Sequence, residues 1–201
     1  MTTKEYILDG SAKLFTELGV KAVRMDDIAA QLAVSKRTIY ELFRDKRDIV
    51  AQSLEWFSQK NRIETSSEIA ADNIIQELIN MLRWWESTAE ATTRFIKDVY
   101  RFYPDIYGEF NDRHAVEKSE MMRARLRDGV EQGYLVPWLD IDMTLYVVSN
   151  SVSMLVFGEK STMPAGATRN DVFRYIVVYF FRGIATEKGR GILDEYINNN
   201  K

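Results

Sequence analysis

The stretch from Met25 to Lys46, MDDIAAQLAVSKRTIYELFRDK, constrains this chain more than any other, because it reads as two short helices around a three-residue turn. Ser35 is placed to accept from the orphan N–H groups of a first helical turn, so the spacing predicts a helix from there through Leu42. With about 100° between successive residues, Ile39, Leu42 and Phe43 share one face. Lys36, Arg37, Tyr40, Glu41 and Arg44 share the opposite one. Upstream, Ile28, Ala29 and Leu32 make the matching stripe of a helix from about Asp26 to Leu32, with Ala29 small enough to let the two cross closely. Ala33-Val34-Ser35 is too short to do anything but turn. Such a pair is a helix-turn-helix, whose second helix lies in the major groove of DNA. Any helical core would explain the inner stripes; the basic outer face and an outward Tyr40 have no packing reason.

Ile7, Leu14-Phe15, Gly19, Ile28-Ala29, Leu32, Val34-Ser35, Thr38-Ile39-Tyr40, Phe43 and Lys46 stand at the spacing of a known family. Through them residues 7–46 resemble the TetR (tetracycline-repressor-like) bacterial transcription factors. The resemblance implies a reader of double-stranded operator DNA built from Arg24, Ser35, Lys36, Arg37, Thr38, Tyr40, Glu41, Arg44 and Lys46. Lys36 and Arg37 are expected at base edges, and Tyr40 and Lys46 on phosphates. Three positions depart from the family's commonest pattern. Arg24 replaces a capping Thr or Ser, although Asp26 and Asp27 still suit that N-terminus through the helix dipole. Ala33 stands where Gly is usual, at a strain of about 1 kcal/mol if left-handed. Arg37 replaces a frequent Gly and sets a long, forked donor beside the DNA.

The net charge of −3 runs against DNA binding until it is divided. Residues 1–47 hold nine Lys/Arg against seven Asp/Glu, and residues 48–201 hold 18 against 23, so the positive charge sits with the reader. With 201 residues, 46% hydrophobic, the chain has the length for one or two cores. It has no cysteine, hence no disulfide or thiolate metal site. Lys4, Glu5 and Asp9 interrupt the N-terminus before an apolar run forms, so no signal peptide is expected. The uncharged run from Met143 to Gly158 is shorter than a membrane span and carries five Ser, Thr or Asn residues. The expected location is the cytoplasm, without membrane contact.

Along the chain, Thr2-Thr3-Lys4-Glu5 has capping-box spacing, and Ile7, Ser11, Leu14, Phe15 and Leu18 recur on one face until Gly19. Ile49, Val50, Ser53, Leu54 and Phe57 mark a fourth helix starting near Lys46, joined to the reader by no flexible linker, so a tilt at one end reaches the other. From about Asp72, Ile74, Ile75, Leu78, Leu82 and Trp85 form one stripe, and apolar positions continue to Pro104. A helix from about Asp105 to Gln132 ends before Gly133 and Pro137, and no convincing strand appears. No enzyme motif is present: His114 is the single histidine, and Glu109 has the wrong spacing to it for a di-iron ligand pair. No cofactor is expected. The aromatic and Met content from Trp84 to Met122 reads first as core. The resemblance implies a second reading, a small-molecule effector held between these helices, with Trp84, Trp85, Tyr100, Phe110, His114 and Met121 as candidate cavity residues.

A helix packed on one core needs an apolar arc of about 100°. The segments from about Asp140 to Gly158 and Asn170 to Lys188 carry roughly twice that. This predicts a homodimer through Val148, Val152, Leu155, Val172, Ile176, Val177, Phe180 and Phe181, closing a four-helix bundle across a two-fold axis. Together these features predict an all-α chain: a three-helix DNA-binding domain over 1–47 and a helical effector-binding and dimerisation bundle over 48–201. Two rivals of other classes are a helical small-molecule or lipid-binding protein with a vestigial reader, and a helical enzyme. Salt-dependent duplex binding separates the first from a regulator, and turnover identifies the second.

Overall fold

The computed structural model describes residues 1–158 and 163–200, with side chains at 63–65 and 88–92 left aside. The described chain is 79% helical. Its elements are α1 (Thr3–Leu18), α2 (Met25–Gln31), α3 (Lys36–Leu42), α4 (Lys46–Ile69), α5 (Ile74–Phe102), α6 (Pro104–Glu131), α7 (Ile141–Phe157), α8 (Arg169–Tyr175), a π-helical turn (Ile176–Phe180), α9 (Phe181–Ile184) and α10 (Glu187–Asn199). An isolated antiparallel bridge pairs Leu135 with Ala185. Among the described residues no helix is long and apolar enough to cross a membrane.

Two compact units divide the chain: residues 1–64 with 88–114, and residues 65–87 with 115–201. In the first, the Thr2 hydroxyl accepts from the Glu5 N–H at 3.2 Å and the Glu5 carboxylate accepts from the Thr2 N–H at 2.7 Å, so the expected capping box starts α1. Gly19 ends that helix with φ +86°, a left-handed value that suits glycine. Ile7, Phe15, Ile28, Ile39, Phe43, Ile49, Val50 and Leu54 are buried together with Phe95 and Val99 of α5. The Phe95 ring centroid lies 5.4 Å from those of both Phe15 and Phe57. Gly10 lets α1 lie close to the end of α2, since a Cβ there would lie 2.3 Å from a Leu32 methyl. Leu18 and Leu42, expected on inner faces, are exposed: each sits in the last turn of its helix, and Val20 and Phe43 just beyond them enter the core instead.

In the second unit, Trp85 stacks on Phe173 with centroids 4.6 Å apart, and Glu77 of α5 pairs with Arg125 of α6 at 2.7 Å. Burial pushes the Glu77 carboxyl up, against the pull of Arg125. The helix expected over 170–188 breaks at Ala185, whose backbone is extended. Thr186 then caps α10, its hydroxyl accepting from the Gly189 N–H at 3.3 Å. Leu193 and Tyr196 of α10 are buried.

Candidate nucleic-acid interface

The reader is built by caps and one tight turn. Ser35 is extended and its hydroxyl accepts from the Thr38 N–H at 3.0 Å, so α3 starts where the sequence predicts. The Ser35 and Thr38 hydroxyls also bond each other at 2.8 Å. At α2 the Arg24 side chain caps nothing, but its N–H donates to the Asp27 carboxylate at 2.7 Å, which anchors that N-terminus from the other side. Ala33 adopts φ +51°, the left-handed turn for which glycine is the unstrained residue.

These caps orient an outer face of charged and aromatic groups. Lys36, Arg37, Tyr40, Glu41 and Arg44 are exposed, as is Arg24, and Thr38 is half-buried. Most of the cations already hold a carboxylate. Lys36 Nζ lies 2.8 Å from Asp26 at the start of α2, and that hydrogen bond raises the Lys36 ammonium. Arg37 Nε donates to Glu41 Oε1 at 2.8 Å, and Arg44 Nε lies 3.8 Å from Asp48 Oδ2. Lys46 opens α4 half-buried; burial pushes its ammonium down, opposed by the charge of Asp27. Sequence reasoning missed Lys4, whose ammonium stands 5.8 Å over the Phe43 ring. It gave Asp26 only a helix-dipole role and missed its pairing with Lys36 across the turn.

Residues 7–52 match the profile of bacterial regulatory proteins of the tetR family. Those residues are a TetR-family DNA-binding region. It is similar to YhgD, an uncharacterized HTH-type transcriptional regulator of Bacillus subtilis strain 168, at 21% identity over 90% of this chain and 96% of that protein. A TetR-family transcriptional regulator of Marinobacter aquaeolei VT8 superposes with a TM-score of 0.73 at 17% identity, covering 99% of this chain and 98% of that one. A Saccharomonospora viridis chain solved in complex with choline gives 0.72 at 19% identity, covering 92% and 98%. With this region and its HTH-type relatives, the protein is a DNA-binding transcriptional regulator.

The six candidate cavity residues have different surroundings. Trp84 lines a groove of about 350 Å³ with Glu68, Asn80, Arg83 and Ser87. Trp85 is buried against Phe173, and its Nε1 has no hydrogen-bond partner. Phe110 is buried in the core that supports the reader, its ring centroid 4.7 Å from His114. His114 Nε2 meets Glu55 Oε2 at 2.7 Å, which ties α6 to α4. Tyr100 is exposed and packs edge-on against Tyr107, and Met121 is exposed. Aromatic content therefore served core, groove and surface alike, and spacing alone does not separate these uses.

The expected dimer residues divide as sharply. Leu155, Val177 and Phe181 are buried within the single chain and have no surface to offer a second copy. Val148, Val152, Val172, Ile176 and Phe180 are half-buried. The exposed apolar surface of these helices lies instead on Met143, Tyr146, Val147 and Met154 of α7, and on Tyr175 and Tyr179. The register change has a physical cause. The wider i→i+5 turn at Ile176–Phe180 shifts the faces away from a uniform 3.6-residue repeat, so Val177 and Val178 are buried while Tyr175 and Tyr179 look out, 4.5 Å apart.

Proposed function

We propose that this regulator is a homodimeric repressor that leaves its operator when a small-molecule effector binds. Residues 1–47 supply the reader and residues 48–201 the effector-binding and dimerising part, a division of labour rather than of compact folding units. The observation that carries the reading is the outer face of α3, where Lys36, Arg37 and Tyr40 stand exposed on a helix fixed by Ser35, with Arg44 exposed just beyond it. The exposed Tyr146, Met154, Tyr175 and Tyr179 supply an apolar face that a second copy covers, and the two-fold axis then presents two readers to a pseudo-palindromic site. Because α4 is one helix from Lys46 to Ile69, displacement of its far end by effector moves its reader end, provided the effector prefers the spacing that does not fit DNA.

The choline complex of the Saccharomonospora viridis chain supports a small-molecule site within this fold. The groove beside Trp84 is its candidate location here. The test is a selection of bound duplexes from a random pool, followed by titration at several salt concentrations. Enrichment of a two-fold-related sequence with a steep salt slope is the expected result. A helical small-molecule binder without a working reader enriches nothing.

A further inference from the structure

We propose that Arg37 reads a guanine in each half-site and that Glu41 is its positioning residue, an assignment that rests on the DNA-binding reading above. A guanidinium offers two usable edges. Glu41 Oε1, one helical turn further on, accepts from Arg37 Nε at 2.8 Å, which occupies one edge and fixes the plane of the group. The other edge, formed by Nη1 and Nη2, makes no hydrogen bond among the described residues, and the Arg37 side chain is 88% exposed. That leaves a pair of parallel donors available on the face of the reading helix.

In the major groove guanine presents two adjacent acceptors, N7 and O6. Adenine sets a donor beside its N7, cytosine a donor, and thymine a single acceptor beside a methyl group. A two-donor fork therefore matches guanine alone. Its neighbour Lys36 differs: its ammonium is held by Asp26 of α2 and has no fork to orient. The Arg37–Glu41 pair is solvent-exposed and stabilises the helix little, so its consequence is orientation of the fork.

The experiment repeats the duplex selection with the full chain and with Arg37→Ala, Arg37→Gln, Glu41→Gln and Glu41→Ala, after circular dichroism has shown each to be helical. The wild type is expected to fix a guanine at one position of each half-site. Changing that base to adenine weakens wild-type binding about 5- to 150-fold and leaves Arg37→Ala unmoved. Replacing it by 7-deazaguanine, which lacks the N7 acceptor, weakens the wild type and not Arg37→Ala. Arg37→Gln moves the preference at that position to adenine, the base a carboxamide matches. Glu41→Gln, whose amide oxygen still accepts from Nε, keeps the discrimination; Glu41→Ala loses at least threefold of it at this position and at no other. An equal loss by Arg37→Ala on every duplex would make Arg37 a phosphate contact and overturn the assignment. A selected site with no such guanine, or wild-type discrimination in Glu41→Ala, overturns it too. Should the wild type enrich no duplex, the DNA-binding reading itself fails, which is a different result.

Discussion

Asp98 of α5 accepts the Val20 backbone N–H at 2.7 Å, across 78 residues of sequence. Val20 is fully buried, so this N–H has no water to turn to. Four residues earlier on the same helix, Arg94 donates to the Glu17 carbonyl at 2.5 Å. One face of α5 thus satisfies both sides of the point where α1 ends, and the reader is held by α5 as well as by α4.

Loss of the Asp98 acceptor leaves a buried donor unpaired. Asp98→Ala is expected to lower stability by about 1–3 kcal/mol, read as a lower urea midpoint at unchanged slope. Gly19→Ala strains the same junction, because an added Cβ would lie 2.9 Å from the Asp98 carboxylate at a φ of +86°. A loss of about 1–2 kcal/mol is expected there. Full stability in both variants would show that the junction is held elsewhere.

Asp9 sits between Lys60 at 2.6 Å and Lys13 at 2.9 Å, with the Trp56 indole N–H also donating. Burial pushes its carboxyl up, but the three donors outweigh that and hold it at about 2, below the usual 3.8. The folded value is depressed, so the stabilisation is complete above about pH 4 and is lost as pH falls towards 2. Asp9→Asn is expected to cost on the order of 1–2 kcal/mol at pH 7. Denaturation midpoints of variant and wild type should converge near the acid end of that window, and a constant difference would exclude the linkage.

Ala33 pays for its left-handed backbone with strain that glycine does not have. Ala33→Gly is expected to raise stability by up to about 1 kcal/mol, seen as a higher thermal midpoint with operator affinity retained. A destabilised variant would mean that the methyl group packs usefully in the turn.

Lys46 is expected to hold a phosphate, and it approaches DNA from a half-buried place at the start of α4. Lys46→Ala should weaken all duplexes alike and flatten the salt slope by about 0.9. Loss of preference at a single base step, with the slope unchanged, would assign it a base contact instead.

The exposed faces of α7 and of the helix carrying Tyr175 and Tyr179 predict how assembly fails. Met154→Glu or Tyr179→Glu should sediment as a folded monomer and lose operator binding without touching the reader. Val177→Glu buries a charge in the chain's own core and should unfold it. Wild-type chain sedimenting as a monomer at micromolar concentration would remove the basis for both expectations.

The reader was legible in the sequence because its determinants are local. Ser35, Glu5 and Gly19 act within one helical turn, and the alternation of Ile28, Ile39 and Phe43 with charged neighbours repeats over a few residues. The resemblance of residues 7–46 to TetR proteins rests on those same positions. Tertiary structure decided the rest. Periodicity measures the width of an apolar arc but not which neighbour covers it, so Leu155 and Val177 became core while Tyr146 and Tyr179 stayed outside. The π-turn shifted the register within a run that carries no Pro to announce it. Asp98 on Val20 and Glu55 on His114 join residues far apart in the sequence. Such pairs form only once the backbone has brought distant helices together, and in them lies the geometry that aims the reader.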